Sequence, residues 1–193
     1  MRRLLLALLA TTMLITSGCG PASPTFNAVD ITGAIGFGSE IRLTDHTGKA
    51  RSLADFHGKV VAIFFGFTSC PDVCPTTLSD MRQVMQQLGP KANKLQVLFV
   101  TVDPKRDTPE LLAKYVPAFH PSFLGLYGDD AATAKVTRDF KIVAQVVPGQ
   151  TADSYIVNHT AGTLIFDTQG RLRLMAPYGL GADKLTADIK QLQ

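Results

Sequence analysis

Two apolar runs dominate the middle of the chain. Residues 60–65 (Val60-Val61-Ala62-Ile63-Phe64-Phe65) are apolar without interruption, and residues 95–102 nearly so. Runs of this length, rich in β-branched and aromatic side chains, predict central strands buried on both faces. Between them Leu78, Met81, Met85 and Leu88 recur at helical spacing, and Gly89-Pro90 stops the helix. Thr108-Pro109-Glu110 opens a second helix, with a capping Thr and Pro in the first position. Residues 130–140 predict a third helix, and Leu185, Ile189 and Leu192 mark a fourth. Residues 41–43 alternate like a strand, Asp45-His46-Thr47-Gly48 forms a turn, and a second short strand follows. Residues 123–127 predict a further short strand. Residues 163–166 and 172–174 flank Asp167-Thr168-Gln169-Gly170 as a β-hairpin. Alternating βα units of this kind imply a single α/β domain, a mixed sheet flanked by helices, over residues 37–193.

The amino-terminal apolar run has a different character. Arg2 and Arg3 precede residues 4–15, which are apolar except for Thr11 and Thr12, and small residues follow. That order predicts a secretory signal over residues 1–18. The run is too short to cross a bilayer, which takes about 20 residues. Thr16-Ser17-Gly18-Cys19 resembles the lipobox of bacterial lipoproteins, with Thr16 where Leu is usual. The alternatives are lipid attachment at Cys19 and a plain cleaved signal beside an incidental Cys. A stray free Cys is a liability in an oxidising compartment, which favours the lipid. Residues 19–36, rich in Gly, Pro, Ala, Ser and Thr, predict a flexible tether. The expected location is extracytoplasmic, held to a membrane through Cys19.

Charge adds little. The net charge is +3, but residues 1–18 carry two basic and no acidic side chains, so the processed chain is nearly neutral. No basic patch with interleaved aromatics occurs, and a nucleic-acid partner is not expected.

Three Cys are present. Setting Cys19 aside leaves Cys70 and Cys74, too few for a disulfide-stapled scaffold. They lie in the turn that follows the first central strand and leads into a helix. That placement is thioredoxin-like, and it is where open α/β sheets bind ligands. Residues four apart on a helix have Cβ atoms about 5–6 Å apart, whereas a disulfide prefers about 3.5–4.5 Å. The spacing therefore suits a shared metal more easily than a disulfide, without forbidding the latter. Pro75 is expected to keep Cys74 out of the α region and to start the helix. The positive end of that helix should lower the thiol pKa values. Two thiolates and an imidazole select copper or zinc over magnesium or calcium. Of the four histidines, His46, His57 and His120 lie in polar turns and loops and are expected at the surface. His159 lies just ahead of the strand at 163–166, in a loop expected to pack beside the Cys turn. Pattern alone leaves its role as a ligand open.

Gly66-Phe67-Thr68-Ser69-Cys70-Pro71-Asp72-Val73-Cys74-Pro75, Val102-Asp103-Pro104-Lys105-Arg106-Asp107-Thr108-Pro109, and Asn158-His159-Thr160 before Phe166-Asp167-Thr168-Gln169-Gly170 resemble the Sco/SenC family, from about Phe37 to the end of the chain. The resemblance implies a thioredoxin-like fold and one copper per chain, held by Cys70, Cys74 and His159. It also implies action in assembly of the dinuclear copper (CuA) centre of cytochrome c oxidase. The expected partner is subunit II of that oxidase or another copper or thiol protein. Asn158 and Thr160 depart from the Asp and Ser usual beside the family's His, without removing a ligand. Asp72, Asp103, Arg106 and Asp107 are candidates for a supporting or docking cluster; for Asp103 to Thr108 a purely local network with a helix cap is the equal alternative.

Copper delivery competes with thiol–disulfide exchange, which needs Cys70 and Cys74 but leaves His159 idle. In the first case the chain is a metallochaperone rather than an enzyme in the turnover sense. Peroxidase chemistry is disfavoured: Ile63 and Phe67 stand where peroxiredoxins carry Pro and Thr, and there is no Trp.

Overall fold

The computed structural model describes residues 24–38, 40–149 and 154–193. The signal-like segment and Cys19 lie outside the described residues. In chain order the strands are β1 (Val29–Asp30), β2 (Leu43–Asp45), β3 (Ala50–Arg51), β4 (Val60–Gly66), β5 (Leu95–Thr101), β6 (Leu124–Tyr127), β7 (Ala144–Pro148), β8 (Tyr155–His159), β9 (Thr163–Phe166) and β10 (Leu172–Ala176). The helices are α1 (Val73–Leu88), α2 (Pro109–Phe119), α3 (Asp130–Asp139) and α4 (Ala182–Leu192).

β4 and β5 are buried at every position and form the parallel centre of an eight-stranded mixed sheet, ordered β1-β10-β9-β4-β5-β6-β2-β3. Parallel neighbours need a crossover; α1 links β4 to β5, and α2 links β5 to β6. β9 joins the other side of β4 antiparallel, so the chain leaving β8 arrives beside the end of β4. Phe64, Phe65, Phe99, Phe140 and Phe166 fill the core around these strands, all at most 1% exposed. Leu78, Met81, Met85 and Leu88 of α1 face that core, and α1 packs against α4. Gly89 ends α1 at φ 55°, a left-handed conformation that a side chain would strain. Thr108 caps α2 by accepting from the Leu111 N–H at 3.3 Å, with Pro109 in the first turn.

The fold starts earlier than the expected boundary at residue 37. Within the stretch assigned to the tether, Val29 pairs with Met175 and Asp30 with Leu174. Just before them, the fully buried carboxylate of Asp188 on α4 accepts the Asn27 N–H at 2.9 Å and the Ala28 N–H at 2.8 Å. A buried carboxylate inside α4 thus binds the backbone of a segment too short and too mixed in polarity to give a strand signal.

The other departure is β7 and β8. They form a separate two-stranded sheet, in a region expected to be loop. β7 is exposed at every position and carries Pro148, so it lacks the half-buried alternation that marks a strand.

Candidate metal centre

The parallel strand β4 delivers the chain to the Cys turn. At its last residue, Gly66, a Cβ would lie 2.9 Å from Cys74 Sγ, 2.8 Å from the Phe64 ring and 2.9 Å from the Phe99 ring. The absence of a side chain lets the sulfur rest against the strand. Helix α1 begins at Val73, with Asp72 at its cap position, so Cys74 and Pro75 both lie in the first turn. This corrects the expectation that Pro75 holds Cys74 outside the helix. The N–H that Pro lacks would have no intrahelical partner there. The Cys74 N–H donates to Cys70 Sγ at 3.4 Å. Both cysteines are free thiols, Cys70 half-buried and Cys74 fully buried.

Burial also reverses one electrostatic expectation. Desolvation pushes the Cys74 thiol well above its usual range, and the Phe67 N–H aimed at it offsets only part of that. The helix end does not compensate for removal from water. In the metal-free protein Cys74 is a protonated thiol at neutral pH.

His159 ends β8 and reaches the same place. Its Nδ1 lies 3.0 Å from the Thr160 carbonyl, an acceptor, which makes Nδ1 the protonated nitrogen. Nε2 is left with a lone pair 3.5 Å from Cys74 Sγ. Burial lowers the His159 pKa, partly offset by the bond to Thr160. The ring stands edge-on to Phe64 and Phe67, with centroids 5.9 and 5.8 Å away. A neutral, oriented imidazole is the form that ligates a metal.

The ligand atoms of Cys70, Cys74 and His159 all lie within 4.8 Å of one another. Two bonds of about 2.0–2.3 Å placed end to end span about 4.6 Å, so one ion bridges the three with small adjustments. The donor set, two sulfurs and one imidazole nitrogen, fits a soft or borderline ion. The cleft above it, about 200 Å³, is lined among others by Phe67, Cys70, Asp72, Val73, Ile156 and His159. That volume is small for an organic ligand. A larger cleft of about 690 Å³ lies by Phe37 and Arg173. Its two arginines, Arg171 and Arg173, already pair with Asp167.

The segment after β5 braces this site. Asp107, 1% exposed, accepts from the Thr68 N–H at 3.1 Å, the Thr68 hydroxyl at 2.5 Å and the Thr101 hydroxyl at 2.6 Å. It fastens the Cys turn to the end of β5, and its own burial raises its pKa. Asp103, 4% exposed, pairs with Arg106 and accepts from the Tyr155 hydroxyl at 2.7 Å. Burial leaves Asp103 and Asp107 no surface for a partner; their bonds run inward, to Thr68, Thr101, Arg106 and Tyr155. His57 is exposed and His120 pairs locally with Ser122, as expected. His46 is not a free surface group: its Nδ1 accepts the Gly125 N–H at 3.0 Å and ties the first turn to β6.

A mixed, helix-covered sheet with a free Cys pair and an oriented His at the end of its central strand defines a thioredoxin-like protein with a metal-competent Cys-Cys-His centre. The SCO1/SenC family model matches residues 29–193, and the chain belongs to that family. It is 37% identical over 160 residues to the mitochondrial SCO2 homologue of Bos taurus, covering 82% of this chain and 60% of that protein. It thus spans little more than half the length of that relative. Among solved structures, Bradyrhizobium japonicum ScoI with copper bound is 38% identical with a TM-score of 0.73, covering 81% of this chain and 99% of the other. Apo Sco1 from Thermus thermophilus is also 38% identical, with a TM-score of 0.77, covering 89% and 99%.

Proposed function

We propose that this chain is a copper metallochaperone. It binds one copper ion through Cys70, Cys74 and His159 and passes it to an acceptor copper or thiol protein. The acceptor that the family suggests is the CuA domain of cytochrome c oxidase subunit II. The observation that carries the reading is the convergence of two thiols and a neutral, oriented imidazole within 4.8 Å, with Cys70 and His159 lining a cleft and Cys74 buried behind them. Family membership and the copper held by a 38% identical relative support it. The half-buried Cys70 gives an acceptor's thiolate one side from which to exchange ligands, while Cys74 and His159 keep the ion from water.

Titration of reduced protein tests this. Cu(I) should bind one per chain, and Cu(II) should give sulfur-to-copper charge-transfer absorption with one nitrogen ligand. Both signals should vanish once the pair is oxidised, because a disulfide offers no thiolate. Tight binding by a Cys70→Ser/Cys74→Ser double variant would refute the site. The setting we infer is extracytoplasmic, with lipid on Cys19; mass spectrometry of the mature amino terminus decides the lipid, and an unmodified Cys19 or a retained Met1 rules it out.

A second reading has an observation in its favour, since Cys70 is partly accessible beside a free Cys74. The pair would then reduce an acceptor disulfide to two thiols while closing its own disulfide, with two electrons and two protons passing to the acceptor.

A further inference from the structure

His159 does not sit on the main sheet. Its strand belongs to the β7–β8 arm, and no backbone hydrogen bond joins β7 or β8 to the eight-stranded sheet among the described residues. One end of the arm meets the sulfurs through His159. The other end, at Tyr155, is held by a closed set of contacts to the segment after β5. Arg106 Nη1 donates to the Tyr155 carbonyl at 2.9 Å, and its guanidinium carbon lies 3.6 Å from the centre of the Tyr155 ring. Arg106 Nε pairs with Asp103, and the Tyr155 hydroxyl donates to the same carboxylate at 2.7 Å. Arg106 also faces the ring of Phe67, at 5.6 Å, in the turn that leads to Cys70. One guanidinium therefore touches both the arm that carries the nitrogen ligand and the turn that carries the sulfur ligands.

We propose that Arg106 and Tyr155 are positioning residues for His159: their stacked, hydrogen-bonded clamp sets where the nitrogen ligand stands relative to the two sulfurs. The inference deepens the copper-binding reading and rests on it. Tyr155 lies four residues from His159 in an extended strand, so a shift at the clamp is carried along β8 to the imidazole. Cys74 is held by α1, and the turn of Cys70 by the bonds of Asp107 to Thr68; Arg106 meets that turn through the face of the Phe67 ring alone, with no hydrogen bond to it among the described residues. Loosening the clamp should therefore detach the nitrogen ligand selectively. Lys at 106 would restore the charge but neither the flat stack nor the forked donation.

The test uses Arg106→Gln, Arg106→Lys and Tyr155→Phe in the intact domain. Three quantities are measured: amide exchange across residues 155–159 in the metal-free protein, Cu(II) affinity with its nitrogen hyperfine signature, and Cu(I) affinity. Arg106→Gln should raise exchange in the arm and weaken Cu(II) by about 10–100-fold, as loss of groups that orient a ligand does. Its nitrogen signature should be lost or altered, while Cu(I), held by two thiolates, should change less than about threefold. Arg106→Lys should behave like Arg106→Gln. Tyr155→Phe, which keeps the ring but loses the bond to Asp103, should fall between wild type and Arg106→Gln. Equal losses of Cu(I) and Cu(II) would mean a merely structural role and overturn the proposal, as would unchanged Cu(II) spectra. Failure of the wild-type protein to give a nitrogen-ligated Cu(II) complex would instead overturn the parent reading.

Discussion

The imidazole of His159 and the sulfur of Cys74 approach to 3.5 Å, although 85 positions separate them. Cys74 reaches that point on the first turn of a helix rooted in the main sheet. His159 reaches it on an arm outside the sheet. The sulfurs and the nitrogen are thus separable parts of one centre, and a substitution can remove either.

His159→Ala separates copper delivery from thiol exchange. Cu(II) binding should weaken strongly, and Cu(I) less, because two thiolates hold it in near-linear geometry. Thiol exchange should stay within a few-fold of wild type. In cells, loss of oxidase copper assembly as severe as with Cys70→Ser supports delivery. Near-normal assembly in the His159→Ala strain, with Cys70→Ser inactive, would establish the exchange reading instead.

The metal-free protein should lose stability as pH rises past about 9. Burial raises the Cys74 pKa above its ordinary 9.0, so the folded chain keeps a proton that the unfolded chain releases. The stabilisation is complete below pH 9.0 and declines above it, since the folded state then binds more protons. Half-buried Tyr115, also raised by desolvation, adds the same trend at higher pH. Urea midpoints should hold between about pH 7 and 9 and fall from pH 9 upward, and Cys74→Ser should flatten the start of that fall. A wild-type midpoint that rises over this range refutes the assignment.

Gly66→Ala should damage the fold and the site together. The new methyl meets Phe64, Phe99 and the Cys74 sulfur at 2.8–2.9 Å. Overpacking of a filled core costs about 1–3 kcal/mol. Because one of the three neighbours is a ligand, Cu(I) affinity should fall as well, measured by competition with a colorimetric chelator. Unaltered affinity at reduced stability would show that the sulfur can move away freely.

Asp188→Ala should destabilise the domain and spare the copper site. It leaves the Asn27 and Ala28 N–H groups without their buried acceptor. A buried donor stripped of its partner costs about 1–3 kcal/mol. Thermal unfolding should shift down and early amide exchange should appear at residues 27–30, with copper spectra unchanged. Protected amides at 27–30 in the variant would contradict the anchoring role.

The central sheet was readable because β4 and β5 are apolar on both faces, a pattern that few alternatives share. The Cys turn was readable from the spacing of Cys70 and Cys74 and the helix that follows. His159 needs the family resemblance, because β7 is exposed throughout and the alternating burial of β8, inward at Tyr155, Val157 and His159, is not matched by an alternation of apolar and polar residues in its sequence. Tyr155 carries no signal in the sequence, because its hydroxyl partner, Asp103, is 52 positions away. Gly66 offered a signal, a glycine ending a strand of bulky residues, which marks close approach. The protonation of Cys74 departs from the expectation for a physical reason: helix position is visible in sequence, depth below the surface is not. Strand β1 was hidden because a carboxylate on the last helix, rather than its own side chains, fixes it in place.

That same strand gives the molecule a direction. Val29 pairs with Met175, β10 runs alongside Thr163 at the start of β9, and that start lies near the end of β4. The chain therefore joins the sheet at the end that carries Cys70 and His159, not the opposite one. Eight positions separate Cys19 from Asn27, at most about 29 Å when fully extended. Were Cys19 held in a bilayer, the open cleft would be leashed close to the lipid headgroups. Such a donor would serve acceptors whose own metal sites lie low over the membrane and would not reach those standing high above it.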